Sequence, residues 1–387
     1  MVVESAAVAS SMDPILRAIV TVGVLVFFAK ILASVFSSMK LPEVIGELLA
    51  GVVFGPYALG SGIIIFGEPL VVLNEFVDAL AEIGAIMILF SMGLEMGLTS
   101  LKRSGIWAVL VAVFGAIIPF TIGYEFYKYI GYSDISALFI GALMVATSIA
   151  ISARVLEDLD LLDTHEGSLL INAAVIDDIL GVAILAVVTS IMVHGAVGVH
   201  EIVKTISLFF LIWFAMVGVG VYVIPRMIER FLSLEAEGAV EAAAITSAFI
   251  MAALAGSIGL SPIIGSYAAG MAVAESKALP RLKDFIRHIN MIFSPIFFAV
   301  VGARMNLGLV STPVLVGILL MTAIAIATKF IGCFMGAMAK LRNLIGSVRV
   351  GVGMTPRGEL GVIIANLALS AGVIDEAIYV EAVWMVI

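Results

Sequence analysis

What this chain has least of is charge. Asp, Glu, Lys and Arg make up 13% of its 387 residues, about half of what a soluble domain carries. Apolar residues make up 62% and the mean hydropathy is +1.21. An ordinary water-soluble domain is thereby excluded, and a polytopic membrane protein remains. Cysteine is reduced to Cys333, inside an apolar stretch. No disulfide can form within one chain, and the thiol reads as core packing. The four histidines, His165, His194, His200 and His288, fall in loops or at helix ends, where a pH-sensing role is open to any of them. None has the spacing of a metal site, and there is no phosphate-binding glycine loop and no basic nucleic-acid patch. The sequence thus calls for no cofactor, no nucleic acid and no soluble partner. The net charge of −9 says little about partners, because in a membrane protein the placement of Lys and Arg in loops matters more. Met1 to Asp13 has no basic residue before the first apolar run, which argues against a cleaved signal peptide.

What is there is a succession of apolar runs long enough for a hydrocarbon core of ~30 Å. They fall near 14–37, 70–94, 105–127, 135–153, 168–193, 202–225, 238–258, 285–303, 313–339 and 345–372. Shorter runs at 42–56 and 261–275 fit between them, and another begins at Glu376 and continues to Ile387. The expected fold is all-α, with about 13 transmembrane helices. With the amino terminus outside, Lys102, Arg103, Arg226, Arg230, Arg281 and Arg342 collect with other basic residues on one side. The opposite side has Lys128 and Lys204, with Arg304 at a helix end. That asymmetry puts the carboxyl terminus in the cytoplasm.

The short runs disclose a repeat. Leu41 to Gly51 matches Leu260 to Gly270 at an offset of 219, and Met92 to Leu98 matches Val301 to Leu307 at 209. The first six spans and the last six are then equivalent, joined by the seventh. Equivalent spans are seven apart, an odd number, so the halves are inverted. Inverted repeats are a secondary-transporter architecture with sites near the midplane.

Three features place chemistry inside the membrane. Asp177 and Asp178 sit halfway along a segment otherwise uncharged from Ser168 to Val193. Each mid-membrane aspartate costs about 2.5–3.5 kcal/mol on insertion scales, so the pair marks a functional site with a partner to be found. Neighbours on a helix point about 100° apart, so one carboxylate can hold a fixed countercharge while the other faces a water-filled cavity. Lys329 is alone in a span from Thr312 to Ala339, about ten residues or ~15 Å from the nearer end. That is too deep to snorkel, and the Asp pair is the expected partner. Met354-Thr355-Pro356-Arg357-Gly358-Glu359 puts a proline, a glycine and two charges mid-span, a signal for a broken helix that lines a cavity. Its expected counterpart is Ala146-Thr147-Ser148, at an offset of 208, where no proline marks the break and the hydroxyls have a plain alternative in bonding back to the preceding turn. Glu43 and Glu47, and Glu75, Asp78 and Glu82, each lie on one helical stripe, as an entry funnel or as interfacial residues.

On these motifs the chain resembles the monovalent cation:proton antiporter-2 family, closest to its bacterial and archaeal sodium/proton antiporters, from about Pro14 to the last residue. The most specific motif is Asp177-Asp178, which marks the electrogenic branch. The resemblance implies crossed broken helices at the fifth and twelfth spans, Asp178 as the ion-binding carboxylate, and Asp177 salt-bridged to Lys329 when sodium is absent. It implies a homodimer in the cell membrane. The dimerisation domain would take residues 1–103 and 231–308, a mobile core 104–193 and 309–387, and a linker helix 194–230. It also implies a longer final helix than the stretch from Glu376 to Ile387.

Exclusion gives the expected mechanism: proton and sodium cannot both occupy Asp178, so alternating exposure of one site exchanges them. Asp177, Asp178, Thr147 and Ser148 would supply hard oxygen ligands. If sodium also recruits Asp177, Lys329 is freed to release its proton, and exchange becomes electrogenic. An intramembrane aspartyl protease needs its two carboxylates on separate helices, and here both lie on one. Potassium/proton exchange, or a potassium efflux system of the same fold, remains the nearer alternative.

Overall fold

The computed structural model describes residues 13–39, 41–65, 67–194, 199–232, 236–305 and 312–386. Helix α1 (Pro14–Ser38) starts where Asp13 accepts a hydrogen bond from Ile15 N at 2.8 Å and Pro14 fits the first turn. Helix α2 (Glu43–Phe54) follows Pro42 and stops at extended Gly55. A short α3 (Leu59–Gly62) and a hairpin of β1 (Ile64–Ile65) and β2 (Glu68–Pro69) lead into α4 (Glu75–Tyr129). The runs at 70–94 and 105–127 are the two helical parts of this stretch, with a kink between them. The backbone departs from helical geometry at Gly97 (φ +57°) and Gly105 (φ +49°), positions that a residue with a Cβ rarely adopts. The apolar parts are Glu75–Glu95 and Ser104–Tyr129.

Beyond α4 the expected span at 135–153 is two short helices, α5 (Asp134–Leu143) and α6 (Ile149–Asp158). Then come α7 (His165–His194), α8 (Val199–Leu232), α9 (Ala239–Ser257), α10 (Pro262–Val273), α11 (Leu279–Ala303) and α12 (Thr312–Leu341). The run at 345–372 is again two helices, α13 (Leu344–Gly353) and α14 (Glu359–Ser370), before α15 (Glu376–Val386). Among the described residues, nine helices are long and apolar enough to cross a membrane. The run at 261–275 is not one of them, since α10 is a twelve-residue helix buried over most of its length.

Packing divides the chain into two units. The first comprises the described residues up to Gly84 with those of Met291–Leu309, and the second Ala85–Asn290 with Val310–Ile387. In the first, α1 lies against α2, where Lys30 Nζ reaches Glu47 Oε1 at 3.1 Å. A Cβ at Gly51 would collide with Ala299 O, and one at Gly302 with Leu48 O, so α2 and the end of α11 meet backbone to backbone. In the second unit, a Cβ at Gly270 would collide with Phe90 O, and one at Gly93 with Tyr267 O, which brings α10 equally close to the first part of α4. These are the same four positions displaced by the two offsets of the repeat. The matched glycines are the points where the two halves make one contact twice.

Candidate functional site

Helix α7 carries Asp177 and Asp178 into the interior of the second unit, with relative exposures of 1% and 9%. Lys329 on α12 is fully buried and donates to Asp177 Oδ1 at 2.7 Å and Oδ2 at 2.8 Å. Its ammonium also donates to Val145 O at 2.8 Å, so three acceptors meet three N–H bonds. Of the two aspartates, Asp177 takes the fixed countercharge and Asp178 is the more accessible.

Val145 lies in the first of two helix breaks. Helix α5 ends at Leu143 and α6 begins at Ile149, while α13 ends at Gly353 and α14 begins at Glu359. The breaks, 144–148 and 354–358, have equal length. Their offset is 210, so Ser148 corresponds to Gly358, two positions away from the register that pairs Thr147 with Thr355. The two breaks cross: Ser148 N donates to Pro356 O at 2.8 Å, and a Cβ at Gly358 would sit 2.7 Å from Thr147 O. Ser152 Oγ adds a bond to Gly353 O at 2.6 Å. Only a glycine admits such an approach, which gives the Pro-Arg-Gly motif a steric reason.

The carbonyls freed at the end of α5 carry the negative end of a helix dipole. Arg357, 5% exposed, donates to Met144 O at 2.5 Å, to Ala146 O at 3.2 Å and to Ala325 O of α12. Two cations thus cover three consecutive carbonyls, 144–146. Ser148 caps α6, accepting from Ile151 N at 3.4 Å. The buried Thr147 hydroxyl donates back to Val145 O at 3.4 Å, the plain arrangement open to it from sequence. Thr355 Oγ1 likewise bonds back, to Val352 O at 2.7 Å. Glu359 opens α14, and its side chain lies outside the described residues.

The acidic stripes belong to the first unit. Glu47 is paired with Lys30, Asp78 with Arg304 at 2.9 Å, and Glu75 and Glu82 are exposed. Glu43 is partly buried in the first turn of α2. Of the histidines, His165, His200 and His288 are exposed, and the side chain of His194 lies outside the described residues. Sequence reasoning missed a polar chain behind the aspartates. Asn172 donates to Ser168 O at 2.8 Å and Ser104 Oγ at 3.2 Å, and accepts from Tyr267 OH at 3.4 Å. The signal was an asparagine one turn and a half ahead of Asp177 in an apolar helix. The carbonyl ligands of Lys329 and Arg357 have no side-chain signature to find.

The description "Sodium/hydrogen exchanger, transmembrane" matches residues 23–387. The chain is 30% identical to the high-affinity Na(+)/H(+) antiporter NhaS3 of Synechocystis, over 94% of this chain and 85% of that one. It is also 30% identical to the Na(+)/H(+)-K(+) antiporter GerN of Bacillus cereus, over 89% and 86%. Among solved structures it is similar in fold to the sodium proton antiporter MjNhaP1 of Methanocaldococcus jannaschii, with a TM-score of 0.68 at 16% identity, covering 96% of this chain and 93% of that chain. A buried carboxylate pair, a lysine bridge and two crossed helix breaks therefore sit in a chain that belongs to the sodium/hydrogen exchanger family.

Proposed function

We propose that this protein is a secondary transporter that exchanges sodium (or lithium) for protons by alternating access, and that it serves pH homeostasis. The observation that carries the reading is the buried Asp177–Lys329 pair beside Asp178 at the crossed breaks. A cation needs oxygen ligands and charge balance, and the site offers both. Asp178 takes either a proton or the metal ion. Thr147 and Ser148 lie at the crossing, where oxygens from the break complete the cation's shell. When the cation also engages Asp177, Lys329 loses its countercharge and gives up a proton. More than one proton then moves per cation, which makes the exchange electrogenic and agrees with the antiporter-2 branch.

Residues 1–103 and 231–308 form the dimerisation part of a homodimer in the cell membrane, residues 104–193 and 309–387 the moving core, and residues 194–230 the link. This division by role differs from the division by packing, since 85–103 and the described part of 231–290 pack within the second unit. Glu43, Glu47, Glu75, Asp78 and Glu82, all in the first unit, are the candidates for an entry funnel on their sequence pattern. The amino terminus is outside and the carboxyl terminus cytoplasmic, in keeping with the basic loops.

The test is proton movement in sealed proteoliposomes under an imposed pH gradient, with Na⁺, Li⁺ or K⁺ added, with and without a potential clamp. Sodium dissipates the gradient in the wild type and not in Asp178→Ala, at a rate set by the potential. The name of GerN, which includes potassium, supports a second reading as a potassium/proton exchanger. Response to K⁺ alone selects it.

A further inference from the structure

We propose that Gly115 and Cys333 form a steric seat for Lys329 that sets how firmly the lysine holds Asp177, and through it the affinity for the cation. The inference rests on the exchange reading above. Neither residue bonds to the site, and each acts as a positioning residue through the lysine.

The seat follows from how α4 and α12 meet. A Cβ at Gly332 would collide with Phe114 O, and one at Gly336 would lie 2.6 Å from Val111 Cα. The two helices are therefore in backbone contact over this stretch and have no slack to separate. The stem of Lys329 leaves α12 at the edge of that contact, one turn before Cys333 on the same face. A Cβ at Gly115 would lie 2.5 Å from Cys333 Sγ and 3.7 Å from both Cε and Nζ of Lys329. Contacts under 3.0 Å force something to shift. The backbones cannot, so the thiol must. Helical side chains lean toward the amino terminus of their helix, and the thiol of residue 333 therefore covers the turn that carries residue 329. Cys333 is fully buried, and displacing it presses on the lysine stem. The ammonium, fixed by two carboxylate oxygens and one carbonyl, can yield only by lengthening those bonds. A looser bridge leaves Asp177 freer for the incoming cation.

The measurement is the sodium concentration for half-maximal exchange and the maximal rate, in proteoliposomes at fixed pH. Gly115→Ala lowers the half-saturating concentration about five-fold, the effect of weakening one charge-assisted hydrogen bond, with a smaller change in maximal rate. Adding Cys333→Ala, which removes the thiol, returns the value to that of the wild type. Cys333→Val crowds the same contact from the other helix and lowers it as well, a second probe should Gly115→Ala not accumulate. A half-saturating concentration unchanged in both single variants at wild-type abundance overturns the seat, as does a change that Cys333→Ala leaves in place. Wild-type protein without sodium-driven proton flux defeats the exchange reading itself, a result independent of the variants.

Discussion

Lys329→Gln removes one partner of a pair in which the lysine is 0% and the aspartate 1% exposed. Three hydrogen bonds go with it, two to Asp177 and one to Val145 O. What remains is a carboxylate without its cation in the interior. Breaking a buried pair in this way costs about 3–5 kcal/mol, most of it the uncompensated charge and not the lost attraction. Asp177→Asn leaves the opposite charge and costs a similar amount. The double variant Asp177→Asn/Lys329→Gln leaves two neutral amide side chains able to bond to each other, so it unfolds within ~1 kcal/mol of the wild type. Thermal or denaturant unfolding of the purified protein, with all four members of the cycle, gives a coupling of at least ~5 kcal/mol. Transport supplies a second readout. On the proposed electrogenic exchange, one net charge per turnover shifts the equilibrium by ~2.3 kcal/mol per 100 mV, and without the lysine proton that dependence vanishes. Single variants as stable as the double, or a Lys329→Gln protein that still responds to potential, refute the reasoning.

Saturating sodium protects the wild type against thermal unfolding, by ~2.7 kcal/mol at a hundred times the dissociation constant, and gives Asp178→Asn no protection. Arg357→Gln strips donors from carbonyls 144, 146 and 325, each worth about 1–3 kcal/mol when left unpaired in the interior. Its unfolding midpoint falls even where sodium is absent. Gly51→Ala and Gly270→Ala each force a methyl onto a facing carbonyl oxygen, at equivalent crossings. Both lower the yield of folded protein from membranes, and to a similar degree, whereas Gly23→Ala, which has nothing within 4 Å, leaves it unchanged.

The parts of the site legible in the sequence were the ones that break an apolar pattern. Asp177, Asp178 and Lys329 stood out because a charge mid-membrane needs a reason, and their partnership follows from there being few charges to choose among. Pro356 and Gly358 announced the second break. The first was visible only through the repeat, because its carbonyls are covered by Arg357 and Lys329 from elsewhere in the chain. The register of the breaks escaped because carrying on the repeat's offset paired the two threonines at 208, while the backbone pairs Ser148 with Gly358 at the helix starts. In the fold, apolar length located the long helices. It located the runs at 70–94 and 105–127 too, which are the spans Glu75–Glu95 and Ser104–Tyr129, but not the backbone at Gly97 and Gly105 that breaks the helix between them.

Each glycine crossing joins a helix made early to one made late. Leu48 and Gly51 leave the ribosome about 250 residues before Ala299 and Gly302, and Phe90 and Gly93 about 175 residues before Tyr267 and Gly270. Neither surface has its mate during that interval. The nascent first half therefore carries two seams whose mates are not yet made. Synthesis makes α10 available to its seam on α4 before α11 is available to the one on α2. A chain stalled between those helices would carry one sealed crossing and one open, a half-laced intermediate that cross-linking through engineered cysteines at each seam would catch.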